Sequence, residues 1–129
     1  MRQFSAALLS GFLACGVAHA QGLTAVRPLP GYVCMQLAVS PEASVDPKVG
    51  VPILDAPSRS AAIVSYAASV VIVQDLTQSS GSFRRVLRPS GKEGWIDARY
   101  LRPWSNPYVS TARCVPSVMS DGKPGTSSK

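Results

Sequence analysis

Between residues 51 and 96 the chain advances as a series of short apolar segments: Val51–Leu54, Ala61–Tyr66, Val70–Leu76, Phe83–Arg88 and Gly94–Ile96. Turn-forming clusters separate them, at Ala56-Pro57-Ser58, Gln78-Ser79-Ser80-Gly81 and Pro89-Ser90-Gly91-Lys92. Segments of this length fit strands, and no ten-residue helical period competes with them. The pattern predicts an all-β fold, a small barrel or sandwich. Gly31–Val39 is apolar for long enough to add one strand ahead of the series. Ser40–Lys48 is a loop by its prolines, serines and charges. Gln21–Pro30 shows no period, and Pro116–Lys129 has the composition of a solvated, disordered tail.

The first twenty residues have a separate logic. Arg2 supplies a positive start, Phe4–Val17 is an uncharged and mostly apolar run, and Ala18-His19-Ala20 places small residues where a signal peptidase reads them. The run is shorter than the roughly 18 apolar residues of a membrane span. An export signal cleaved between Ala20 and Gln21 is expected. A lipoprotein reading stays open beside it, with Cys15 after Phe12-Leu13-Ala14 as the acylated residue.

Cleavage after Ala20 removes Arg2, one of three cysteines and the single histidine, His19. The formal charge falls from +6 to about +5 with the loss of that arginine. Cys34 and Cys114 remain, and an even count in an oxidising compartment reads as one disulfide. Closing a loop of that length stabilises the fold on the order of 4 kcal/mol in the chain-entropy model. Without imidazole, Ser-His-Asp and Cys-His nucleophilic sites cannot be assembled, nor can most catalytic zinc sites. Cysteines eighty positions apart lack the CxxC spacing of a dithiol redox site. The acids Glu42, Asp46, Asp55, Asp75, Glu93, Asp97 and Asp121 are scattered, and no spacing marks a glycosidase-like pair. No enzyme activity, metal or cofactor is expected.

The stretch from Val51 to Trp104 resembles the bacterial SH3-like domain. The features that carry the resemblance are Ile53-Leu54-Asp55-Ala56-Pro57-Ser58, then Ile63-Val64, then Val70-Val71-Ile72-Val73. Val86, the hairpin Gly91-Lys92-Glu93-Gly94-Trp95-Ile96 and the Tyr100-Leu101 close complete it. The chain departs from the family at Ala67-Ala68-Ser69, where a glycine is usual, and at Phe83, where a tryptophan is usual. The resemblance implies an SH3-like barrel over 49–104; an N-terminal extension with one strand, 21–48, and a C-terminal segment with Cys114 and a disordered tail, 105–129, lie outside it. It also implies a non-catalytic module that recognises cell-wall peptides or proteins, here with no hydrolase attached.

Arg84, Arg85, Arg88, Lys92, Arg99 and Arg102 lie within nineteen residues, with Phe83, Tyr100 and Trp104 interleaved with them. In an exported chain this basic cluster faces anionic wall polymers, lipid headgroups or acidic proteins, not nucleic acid. Phe83, Arg84, Tyr100 and Trp104 are the candidate ligand-binding rim. Trp95 is expected in the core. Val70–Val73 is apolar at both parities, so its outer side needs a cover, and Gly31–Val39, tied down through Cys34, is the expected one. Two functions follow: a periplasmic or secreted binder of peptidoglycan peptide or acidic polymer, or a periplasmic protein-interaction or inhibitor module.

Overall fold

The computed structural model describes residues 22–39, 50–75 and 79–129. The leader with Cys15, the Ala20–Gln21 cleavage point and the 40–48 loop lie outside the described residues.

The strands in chain order begin with β1 (Ala25–Pro28), β2 (Tyr32–Leu37), β3 (Pro52–Leu54) and β4 (Ile63–Tyr66). Then come β5 (Val70–Gln74), β6 (Ser79–Ser80), β7 (Phe83–Leu87) and β8 (Glu93–Asp97). A 3-10 turn, Ala98–Tyr100, leads into β9 (Leu101–Pro103), followed by β10 (Cys114–Met119) and β11 (Pro124–Ser128). All pairings are antiparallel and build two sheets. The larger runs β4-β3-β8-β7-β5-β2-β9, with β6 attached to β7, and the smaller runs β1-β10-β11. The fold is all-β as expected. It is not a closed barrel, because β4 and β9 end the larger sheet without pairing to each other.

Period-2 alternation fixes the core. Val71 and Val73 of β5 join Val86, Ile96, Ile53, Leu37, Val51 and Ala67 in one buried cluster, with Met35, Val39, Tyr100 and Leu101 packed against it. Burying each such aliphatic side chain favours folding by roughly 1.5–3 kcal/mol. Gly94 sits where β8 crosses β3, and a Cβ there would collide with Ile53 Cγ2 and lie 3.3 Å from the Leu54 carbonyl oxygen. Close strand approach at this point therefore requires glycine.

Ile72, between Val71 and Val73, projects from the opposite face and is still only 7% exposed. The expectation that residues 31–39 lie over it needs correction. Strand β2 pairs edge to edge with β5, placing Cys34 opposite Ile72. A strand in the same sheet cannot cover its neighbour's face. The smaller sheet lies on that side instead, joined to β2 through the Cys34–Cys114 disulfide with its Cα atoms 6.0 Å apart. Strand β11 reaches the β7–β8 turn, where Pro124 Cδ would lie 3.9 Å from a Cβ on Gly91.

Two further expectations are revised here. The C-terminal segment is a β-hairpin, not a disordered tail. Ser120-Asp121-Gly122 closes it, with Gly122 at φ +78° and its N–H donating to the Met119 carbonyl at 2.8 Å. An Asp-Gly pair is a strong hairpin signal, and composition alone hides it behind serines and a lysine. The N-terminal extension holds two strands, not one. Gly31 at φ +82° lets β1 leave for the smaller sheet while β2 enters the larger.

The disulfide fits an oxidising, non-cytoplasmic compartment. Among the described residues no helix is long and apolar enough to cross a membrane.

Candidate functional site

Between β4, the end of β7 and β11 runs a seam that holds a cleft of about 270 Å³. Its floor is the core itself, at Ile53, Val71 and Val86. Ser65 and Tyr66 of β4 form one wall, the end of β7 from Leu87 to Pro89 another, and Pro124–Thr126 of β11 the third. The sequence dictates each wall. Ala67 is buried and its N–H donates to the Val51 carbonyl at 2.9 Å, turning the chain at the end of β4. Pro89-Ser90-Gly91 closes β7 onto β8 with Gly91 at φ +85°, a conformation glycine adopts without steric cost. The turn is held by Gly91 N–H on the Arg88 carbonyl and Arg88 N–H on the Lys92 carbonyl, both 2.8 Å. That places Arg88 at the cleft.

Strand β4 is an edge and carries exposed apolar side chains: Ile63 at 54%, Val64 at 40% and Tyr66 at 46%. Its register shifts within the strand. Ser65 faces Ile53 and Ile63 faces Leu54, so Val64 has no partner across the ladder. Such a bulge breaks the regular edge a further strand would need.

The charges divide into two groups. Glu93 pairs with Arg85 at 3.5 Å, and the Arg85 guanidinium lies 4.9 Å from the centre of the Trp95 ring. Among the described residues the Arg88 side chain donates to the Glu93 carbonyl, at 3.3 Å through Nη2, while its Nε is buried without an acceptor. In the second group Asp97 is buried, accepts the Arg99 backbone N–H at 3.1 Å, and pairs with Arg99 at 3.3 Å and Arg59 at 3.7 Å. Arg99 donates to the Tyr100 hydroxyl at 2.7 Å and lies 4.7 Å from the centre of its ring. Both arginines are more than half exposed, so these pairs orient side chains more than they stabilise the fold.

The four residues expected to form one rim do not share a surface. Phe83 is 6% exposed and belongs to the interior. Arg84 is half-buried and faces Ile96 across the β7–β8 ladder. Tyr100 packs against the core cluster and stacks with Arg99. Trp104 lies elsewhere, in a shallow hollow beside the disulfide with Tyr32 and Arg113. Trp95 is half-buried under Arg85, not enclosed in the core, because it faces Arg85 while its neighbours Gly94 and Ile96 take the inner side.

The seam cleft escaped sequence reading because its walls come from three separated segments, one of them taken for a tail. Exposed Ile63, Val64 and Tyr66 looked like ordinary strand residues. Compared with protein-family models, with curated proteins and with solved structures, the chain matches none.

Proposed function

We propose that this chain is an exported, non-catalytic binding module of SH3-like character, acting in the periplasm or outside the cell on peptide material of the envelope. The observation that carries this reading is the seam cleft: apolar on its floor, open to solvent, and bordered by a basic side chain. Several features support it. The leader has the form of an export signal, the disulfide suits an oxidising compartment, and a chain cleaved after Ala20 has no imidazole for acid–base work. The basic surface favours encounter with acidic ligands and makes binding salt-dependent. Purified peptidoglycan sacculi test the reading. The oxidised mature protein should co-sediment with sacculi and be released by salt, and failure to co-sediment at low salt removes the envelope ligand.

A second reading, a periplasmic protein-interaction or inhibitor module, is favoured by the exposed apolar group on β4, which is of the kind that marks protein contacts. Co-purification of one defined periplasmic protein, with no binding to sacculi, would select it.

A further inference from the structure

The cleft contains more than an apolar floor. Arg88 stands on its wall, and no carboxylate among the described residues pairs with it. The nearest acidic side chain on its own hairpin, Glu93, is engaged by Arg85, leaving Arg88 a carbonyl contact and an unsatisfied Nε–H. A guanidinium so placed is matched by a carboxylate held through charge-assisted hydrogen bonds. The cleft lies just below the roughly 300–1,000 Å³ of small-molecule sites, enough for one or two apolar side chains and too little for a bulky polymer unit. The bulge at Val64 opposes a ligand strand running along β4, so an occupant enters end-on.

We propose that the seam cleft binds the carboxy terminus of a peptide, with an aliphatic last side chain on the Ile53–Val71–Val86 floor and the α-carboxylate on Arg88. This rests on the binding-module reading above and narrows it to one chemistry. The ligand's carboxylate supplies the counter-charge that no carboxylate among the described residues gives Arg88, while Tyr66 at the lip covers the penultimate residue.

The test uses the oxidised mature chain and three N-acetylated peptides of sequence Gly-Ser-Ala-Val-Leu. One ends in the free acid, one in the carboxamide, and one is extended by an amidated glutamate. Nuclear magnetic resonance titration should give affinity for the free acid about tenfold or more above the amide, with shifts at Tyr66, Val71 and Gly125. Arg88→Gln should abolish the preference while keeping the native spectrum elsewhere. Equal binding of acid and amide, a preference that survives Arg88→Gln, or shifts confined to other surfaces would overturn the proposal. Equal binding of the amidated glutamate peptide would also overturn it, by showing that a side-chain carboxylate serves as well. Sacculus co-sedimentation, run in parallel, separates the two claims. If it persists without an acid preference, only the narrower inference fails. If both are lost, the envelope-binding reading fails with it.

Discussion

Cys34 lies opposite Ile72 across the β2–β5 ladder and is bonded to Cys114 of the smaller sheet. The residue that links the two sheets is thus the cross-strand neighbour of the side chain whose outer face most needs cover. One strand position joins the bond to the burial it secures.

The first expectation concerns that bond. Thiol titration of the unfolded, unreduced mature protein should find no free thiol. Replacing both residues, Cys34→Ser with Cys114→Ser, should lower unfolding free energy by about 2–5 kcal/mol in denaturant titration. Two reactive thiols in the native protein would contradict the linkage.

A second experiment separates linking from covering. A Cys34→Ser chain ending at Arg113 lacks β10 and β11, whereas the full-length double serine variant keeps them unlinked. The shortened chain should bind hydrophobic dyes and aggregate, since Ile72 and the β5 face lose their cover. If it behaves like the double serine variant, the smaller sheet contributes little beyond the bond.

Gly94→Ala should destabilise the protein by roughly 1–3 kcal/mol, the usual effect of overpacking a core. The added methyl meets Ile53 Cγ2 with the Leu54 carbonyl close behind. An unchanged thermal midpoint would mean that β3 and β8 can move apart without penalty.

Trp95→Ala should cost less than the roughly 3–5 kcal/mol of a fully buried aromatic, because the ring is half-buried and roofed by Arg85. A double-mutant cycle of Arg85→Ala with Trp95→Ala should show coupling of about 0.5–1 kcal/mol. A coupling of zero would reduce the stacking to coincidence.

Asp97→Ala removes the acceptor for the Arg99 N–H at the start of the 3-10 turn, together with both arginine partners. Loss of such a cap should lower stability by about 0.5–2 kcal/mol, read as a drop in denaturant midpoint. An unchanged midpoint would assign Asp97 no role in holding the turn.

The strand series was legible because short apolar runs and proline- or glycine-bearing turns act locally. Pro89-Ser90-Gly91 could be read the same way, and the Cys34–Cys114 pairing followed from the cysteine count alone. The smaller sheet could not be read from apolar runs. Its strands mix proline, serine and threonine, and their burial depends on partners far away in sequence, as with Ser117, only 2% exposed. The Asp121-Gly122 turn was the available local sign. Sheet closure was illegible too, because residue pattern tells which side chains face inward but not whether edges meet. The rim failed for a related reason: Phe83, Arg84, Tyr100 and Trp104 are near in sequence, yet strand alternation and the 3-10 turn send them to different surroundings.

The pairing of β1 with β10 has a consequence in time. Thr24 N–H reaches the Ser120 hydroxyl across 96 positions of sequence, and the smaller sheet takes strands from both ends of the described chain. Contacts of such long sequence separation form late, because the intervening loop must close before they gain anything. Nearly the whole polypeptide has to emerge before the outer side of β5 can be sheltered. Until then the most β-branched segment of the molecule is exposed to other nascent chains, and the interval before the last hairpin docks is its period of greatest risk for aggregation.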